Sequence, residues 1–284
     1  MRVNNILKEE SLGYDITGIG LTERIHDIKA LDEVSDFCKK QGEKIEYSIA
    51  MYEMQVEPNL TMMDLLYSER MATSADAIAL LIELIDKKWK LQAQEEPQGE
   101  IIRCSLGKSN NAAHNMTEYM AERQKLLRTL TKQEEYLEFM KSCFSNSVFA
   151  EGFDEEFMHI KDFKQHMDEI TDCLQVLDSE AITLYEEYKN NLQQAMSILT
   201  KKLCTCGPDP KHEKDLHFKF QYEVAENGEV DIRKKDIICS PHLKLIRDDS
   251  DLRIYFYWKD ADICEGKKVL IGRVGRHTWS KYKK

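Results

Sequence analysis

Five soft or borderline metal ligands gather along one stretch of this chain: Cys204-x-Cys206, His212 and Cys239-x-x-His242, with His217 close by. Zinc takes four such ligands tetrahedrally, and a Cys-x-x-His step fits within one turn. The Cys-x-Cys half is tighter than the usual gap of about two to four residues, and no second Cys-x-x-Cys knuckle accompanies it. Reduced thiols and no cofactor are therefore expected, with structural zinc on Cys204, Cys206, His212, Cys239 and His242 as the alternative.

A second constellation overlaps the first. His242-Leu243-Lys244 followed by Asp249 has the spacing H-x-K-x4-D. That spacing resembles the phospholipase D family, where a histidine attacks phosphorus and a lysine holds phosphate oxygens. The resemblance implies phosphoryl transfer with His242, Lys244 and Asp249 as the catalytic set, and it covers eight residues. The family uses two copies, each typically followed by Gly-Ser-x-Asn. This chain carries one, followed by Ser250-Asp251-Leu252-Arg253-Ile254.

A third group is cationic. Lys267, Lys268, Arg273, Arg276, His277, Lys281, Lys283 and Lys284 are interleaved with Trp279 and Tyr282. Cations neutralise phosphates and release counterions, while aromatic faces stack on unpaired bases. Gly272 and Gly275 would let backbone amides approach a phosphate closely, and Lys244 and Arg253 on neighbouring strands would extend the patch. The same tail could instead be solvated, or rest on acidic helices.

Other catalytic signatures are missing. Ser105-Leu106-Gly107-Lys108-Ser109 lacks the upstream glycine of a P-loop, and there is no G-x-S-x-G or H-E-x-x-H. His114, His159 and His166 read as surface or packing residues, and Asp154-Glu155-Glu156 as an acidic first helical turn.

The composition, 42% apolar and 32% charged, suits a globular chain. The net charge of −11 is uneven: residues 207–284 carry +3 and the remainder −14, and residues 266–284 contain seven Lys/Arg and no acid. Such asymmetry points to an acidic or polyanionic partner, or to an intramolecular match. No signal-peptide run opens the sequence and no apolar window reaches the ~18 residues of a membrane span. A cytoplasmic protein without a membrane partner is expected, its eight scattered cysteines reduced.

The elements that must position these groups change character along the chain. Residues 22–41 predict a helix on the stripe Ile25, Ile28, Leu31, Val34, Phe37 and Cys38, ended by Gly42. Residues 60–93 predict a longer one, with Thr61 and Asp64 as a cap and Ile78, Leu81, Ile82, Ile85 and Trp89 on one face. After a loop over 105–111, helices are expected over about 116–145, 154–173 and 178–203. Thr131-Lys132-Gln133-Glu134 is a capping box that would divide the first of these.

Beyond Cys206-Gly207-Pro208-Asp209-Pro210 the period becomes two. Leu216, Phe218, Phe220, Tyr222 and Val224 alternate with polar residues, Asn227-Gly228 signals a hairpin, and Leu252, Ile254, Phe256 and Trp258 alternate in the best strand. Val269-Leu270-Ile271 starts another, with short strands near 236–239 and 243–247. The expectation is α+β: an acidic, mostly helical bundle over 1–205, then a basic antiparallel β meander or barrel over 211–284.

Cys239-Ser240-Pro241-His242-Leu243-Lys244-Leu245, Arg253 to Trp258, and Val269 to His277 resemble the ending of certain uncharacterised prokaryotic proteins of antiphage-defence or mobile-element gene clusters, often beside an ATPase. The resemblance covers about the last 70 residues. It implies an accessory subunit of such a system; with the charge asymmetry and the lack of a complete catalytic set, the expectation is a non-enzymatic accessory or adaptor subunit of a larger cytosolic assembly. The helical part would dock a protein partner, an ATPase among the candidates, and the basic module would contact nucleic acid or that partner through Lys244, Arg253, Lys267, Lys268, Arg273, Arg276, His277, Trp279 and Lys281. The alternative is a phosphoryl-transfer enzyme or nuclease using His242 and Lys244.

Overall fold

A computed structural model describes residues 3–13, 21, 24–67, 76–92, 99–226, 229–246 and 251–277. It contains both helices and strands, and the chain divides into two compact units, Met1–Leu126 and Leu127–Lys284. That division falls inside the stretch expected to be one helical domain. Among the described residues no helix is long and apolar enough to cross a membrane.

The first unit runs β1 (Val3–Leu7), α1 (Ile25–Lys40), β2 (Ile45–Tyr47), β3 (Gln55–Glu57), β4 (Leu60–Thr61), α2 (Met62–Tyr67), α3 (Asp76–Glu83), β5 (Trp89–Leu91), β6 (Glu100–Cys104) and α4 (Met116–Leu127). β5, β2, β1 and β6 form a parallel sheet in that order, and β3 and β4 a small antiparallel pair. The expected helical bundle is thus corrected to a strand-bearing α/β unit. Parallel strands covered on both faces have no polar face to alternate with; all of β1 is buried but Ile6. The expected helix over 60–93 is also corrected. Thr61 and Asp64 do cap α2, with Asp64 N donating to Thr61 Oγ1 at 3.2 Å. Farther on, α3 passes into a π-helical turn, Leu84–Lys88, and the chain is extended from Trp89. Trp89 Nε1 donates to Ser35 Oγ at 2.9 Å, and Lys88 pairs with Asp32 and Asp36, so both residues are bound to α1.

α1 itself buries Ile28, Leu31, Val34, Ser35 and Cys38 and stops just before Gly42, whose φ of 72° suits glycine. A polar seam threads this unit. Asn5, fully buried in β1, donates to Glu43 Oε2 at 2.9 Å and accepts from Tyr119 Oη at 2.8 Å. Arg123 closes it against Glu43, its guanidinium 5.2 Å from the Phe37 ring.

The second unit runs α5 (Gln133–Cys143), β7 (Ser147–Phe149), α6 (Phe153–Met158), α7 (Phe163–Tyr188), α8 (Leu192–Lys202), β8 (Cys206–Gly207), β9 (His217–Glu226), β10 (Glu229–Ile238), β11 (His242–Lys244), β12 (Leu252–Tyr257) and β13 (Val269–Arg276). α7 continues through the break expected near 173–178, because its buried stripe runs unbroken from Phe163 to Leu184. The interruption comes instead at Asn191, whose side chain caps α8 by accepting from Gln194 N at 3.3 Å.

β7, β13, β12, β11 and β8 make a five-stranded sheet in that order, antiparallel apart from β7 beside β13. The expected self-contained meander or barrel is corrected accordingly. β11 to β13 do meander, but the two outer strands come from before residue 211, and β9 with β10 forms a separate hairpin. That hairpin packs Leu216, Phe220, Ile237 and Cys239 against Tyr255 and Leu270 of the sheet. The opposite face meets the helices, where Trp258 lies 6.4 Å from Tyr185 of α7.

Candidate functional site

Pairing register sets the site. His242 stands opposite Tyr255, and Lys244 opposite Arg253, across β11 and β12. Directly opposed residues project from the same side of a sheet, as do residues two apart on one strand. Arg253 pairs in turn with Gly275, and His277 follows two residues later, its amide held by the Asp251 carbonyl at 2.7 Å. One face therefore carries His242, Lys244, Arg253, Tyr255 and His277. It is the face that the hairpin covers farther along at Tyr255.

The turn after β8 adds two more groups. Pro208 and Pro210 restrict the backbone on either side of Asp209. The Asp209 amide faces both the carbonyl and the hydroxyl of Ser240, at 3.2 and 3.1 Å. His212 Nδ1 lies 2.7 Å from Asp209 Oδ1, and His277 Nε2 lies 3.4 Å from Asp209 Oδ2. The His212 and His277 rings meet edge-on at 5.6 Å, His277 and His242 at 6.5 Å, and His242 lies 5.2 Å from Tyr255. Asp209 is buried at 8% exposure, and its Oδ2 makes no well-aligned hydrogen bond.

Burial shapes the electrostatics. It holds His242 below the usual imidazole range, with Arg253 adding to the effect and the Ser240 carbonyl opposing it. His277 is shifted the same way, by burial and then by Arg253, against Asp209. Arg253 is itself buried and lowered by desolvation, with Nη1 donating to the Leu252 carbonyl at 2.7 Å. Ser240 O lies 3.4 Å from His242 Nδ1. A proton on Nδ1 leaves Nε2 as the basic nitrogen.

The five-ligand zinc set is not brought together. Cys204 Sγ lies 3.9 Å from Cys173 Sγ. Cys206 is buried in β8, its thiol pushed up to about 12 by desolvation. Cys239 belongs to the hairpin core, its sulfur facing Gly272. His212 and His242 do meet at the imidazole cluster. Among the described residues, the group with metal-ligand spacing is Asp209, His212 and His277, whose ligand atoms lie within 4.8 Å of one another.

Of the cationic residues, Lys244 and Arg253 lie on this face with Arg273 opposite Tyr255, and the others are scattered. Arg273 pairs with Glu156 at 3.2 Å, Arg276 with Asp251 at 3.8 Å, and Lys267 with Glu265. Lys268 is half-buried and acts electrostatically on Asp178. Asp249, Trp279, Lys281 and the Asn227-Gly228 turn lie outside the described residues. Sequence reasoning missed Asp209 and Ser240. The available signal was Pro208-Asp209-Pro210 with a histidine three residues beyond the aspartate, an acid in a rigid frame within reach of an imidazole.

Comparison with protein-family models, curated proteins and solved structures finds no match to this chain.

Proposed function

We propose that the second unit hydrolyses a phosphate ester on the sheet face built by β11, β12 and β13. The observation that carries this reading is register: His242 and Lys244 share a face and Lys244 opposes the buried Arg253. A base and two cations are thereby placed along about 7 Å of strand, which suits a phosphoryl group and its attacking water. In the proposed step a water oxygen forms a bond to phosphorus while the ester P–O bond breaks. His242 Nε2 takes the water's proton and later returns it to solvent, and the departing oxygen is protonated from solvent. Lys244 and Arg253 offset charge on the non-bridging oxygens. The His-x-Lys spacing shared with the phospholipase D family supports only the pairing of a histidine with a phosphate-holding lysine: in that family the histidine attacks phosphorus, whereas here it is the base that activates water, and one copy suffices.

The accessory-subunit reading draws on the basic C-terminal end. It has less support, since Lys267, Arg273 and Arg276 each have an acidic neighbour within the unit.

The test is turnover of bis(p-nitrophenyl) phosphate and p-nitrophenyl phosphate by the full chain, with and without added divalent ions. His242→Ala is expected to lower the rate by about 10²-fold or more, the usual worth of a positioned base, and Arg253→Ala comparably. Wild-type chain that turns over neither compound, or His242→Ala as active as wild type, would overturn the proposal.

A further inference from the structure

We infer that Asp209, His212 and His277 form a binding site for a first-row transition cation, zinc foremost. The site adjoins the face assigned above, and it rests on that reading only for what the cation would act upon.

Geometry carries the inference. Zinc bonds to nitrogen and oxygen run about 2.0–2.2 Å, so tetrahedral ligand atoms stand roughly 3.3–3.5 Å apart. Asp209 Oδ2 and His277 Nε2 are already 3.4 Å apart. Asp209 Oδ1 and His212 Nδ1, at 2.7 Å, would need to open by roughly 0.6–0.8 Å to reach that spacing. With one ligand atom taken from each residue, the three lie within 4.8 Å of one another.

The second observation is Asp209 itself. It is more than nine-tenths buried, and its Oδ2 makes no well-aligned hydrogen bond, with His277 Nε2 3.4 Å away as its neighbour. A buried carboxylate oxygen whose neighbour is a long, poorly aligned imidazole contact is under-satisfied, and a cation at this point would satisfy it. The ligands are also held in advance. Ser240 fixes the Asp209 amide, and the Asp251 carbonyl fixes that of His277. Such outer contacts orient metal ligands.

The donor set selects the ion. Two imidazoles and one carboxylate suit zinc and its first-row neighbours, whereas magnesium and calcium favour oxygen alone. Three protein ligands leave a fourth position, and His212 and His277 each keep a quarter of their side-chain surface open to solvent. An open fourth position is the mark of a catalytic rather than a structural zinc site. It would take a water or a phosphate oxygen beside His242.

The experiment is calorimetric titration of zinc into chelator-stripped full-length chain carrying Cys264→Ser, which removes the exposed thiol. It is paired with the visible spectrum of the cobalt(II) form. One equivalent should bind with a Kd below about 1 μM. Asp209→Asn and His277→Ala should each raise that Kd at least tenfold and remove the zinc-dependent rise in Tm. His217→Ala, outside the site, should change neither. Absence of binding, binding unchanged in both variants, or a thiolate charge-transfer band in the cobalt spectrum would each overturn the inference. Binding is read without substrate, so zinc bound without ester turnover would sink only the proposed activity. Ester turnover by a chain that binds no zinc would sink only the metal site.

Discussion

Arg123 Nη1 on α4 lies 3.0 and 2.8 Å from the two carboxylate oxygens of Glu43, in the segment leading into β2. The arginine side chain is 1% exposed and its partner 18%. Removing one member of a buried pair leaves an uncompensated charge. Arg123→Ala is therefore expected to destabilise the first unit by about 3–5 kcal/mol. Urea denaturation would measure it, and adding Glu43→Ala should cost much less than the sum of the two single changes. A loss below about 1 kcal/mol for Arg123→Ala would show that the pair does not anchor α4 to the sheet.

Thiol labelling reads burial directly. Seven of the eight cysteines are buried and Cys264 is exposed. Desolvation also holds the Cys38 thiol up at about 12 and raises Cys104 and Cys239 further from reactivity. Native protein should thus release one equivalent of chromophore rapidly from a disulfide reagent, and eight once denatured. Cys264→Ser should abolish the rapid phase. A rapid phase of two or more equivalents would contradict the packing of the sheet edges.

Gly272 marks where the hairpin touches the sheet. A Cβ there would stand 2.7 Å from the Phe218 ring and 3.0 Å from Cys239 Sγ. Both neighbours sit in packed surroundings, so Gly272→Ala should cost about 1–3 kcal/mol by overpacking. Phe218→Leu in the same chain should recover part of that loss. Equal stability of Gly272→Ala and wild type in thermal melts would mean that the hairpin does not close on this face.

Asp178 gives the second unit a pH dependence. Burial raises its carboxyl from 3.8 to about 6, against hydrogen bonds from the Asn146 amide and the Ser147 hydroxyl. The folded chain then keeps a proton that the unfolded chain has lost. This contribution to stability is complete below the unfolded value, declines as pH rises toward 6, and is flat beyond. Asp178→Asn retains an acceptor oxygen for both donors, and should remove this decline between pH 4 and pH 6. Denaturation midpoints at several pH values test it: a variant keeping the wild-type slope would assign that slope to other groups.

Legibility differed sharply between the units. β12 and the first strand of the hairpin were visible because aliphatic or phenylalanine side chains recur at every second position, from Leu216 to Phe220 and from Leu252 to Phe256. β10 was read only near its end. Its middle, Ile232-Arg233-Lys234-Lys235, is solvated, and Val230 and Ile232 are exposed at 66% and 63%, so no buried face imposes a period. In the first unit, β2 and β5 are three residues each, too short to show any period, and partners from distant sequence define them as strands. At the site, residue type alone singled out His242, Lys244, Arg253 and His277. Their common face depended on a strand register that no local pattern records. Asp209 went unnoticed because its significance comes from burial and from a histidine 68 positions later.

The parallel pairing of β7 with β13 also bears on how the second unit is made. Val148 finds its neighbour Leu270 only after more than a hundred intervening residues have been synthesised. Among the described residues, β13 is likewise the strand that joins β7 to the other three. A ribosome must therefore deliver the chain past β13 before the five strands can close, and until then the β11–β12 edge is open to wrong partners. Such long-range closure slows folding. A nascent chain halted between β12 and β13 would expose that edge while the unit's helices were already complete, the kind of species that chaperones retain.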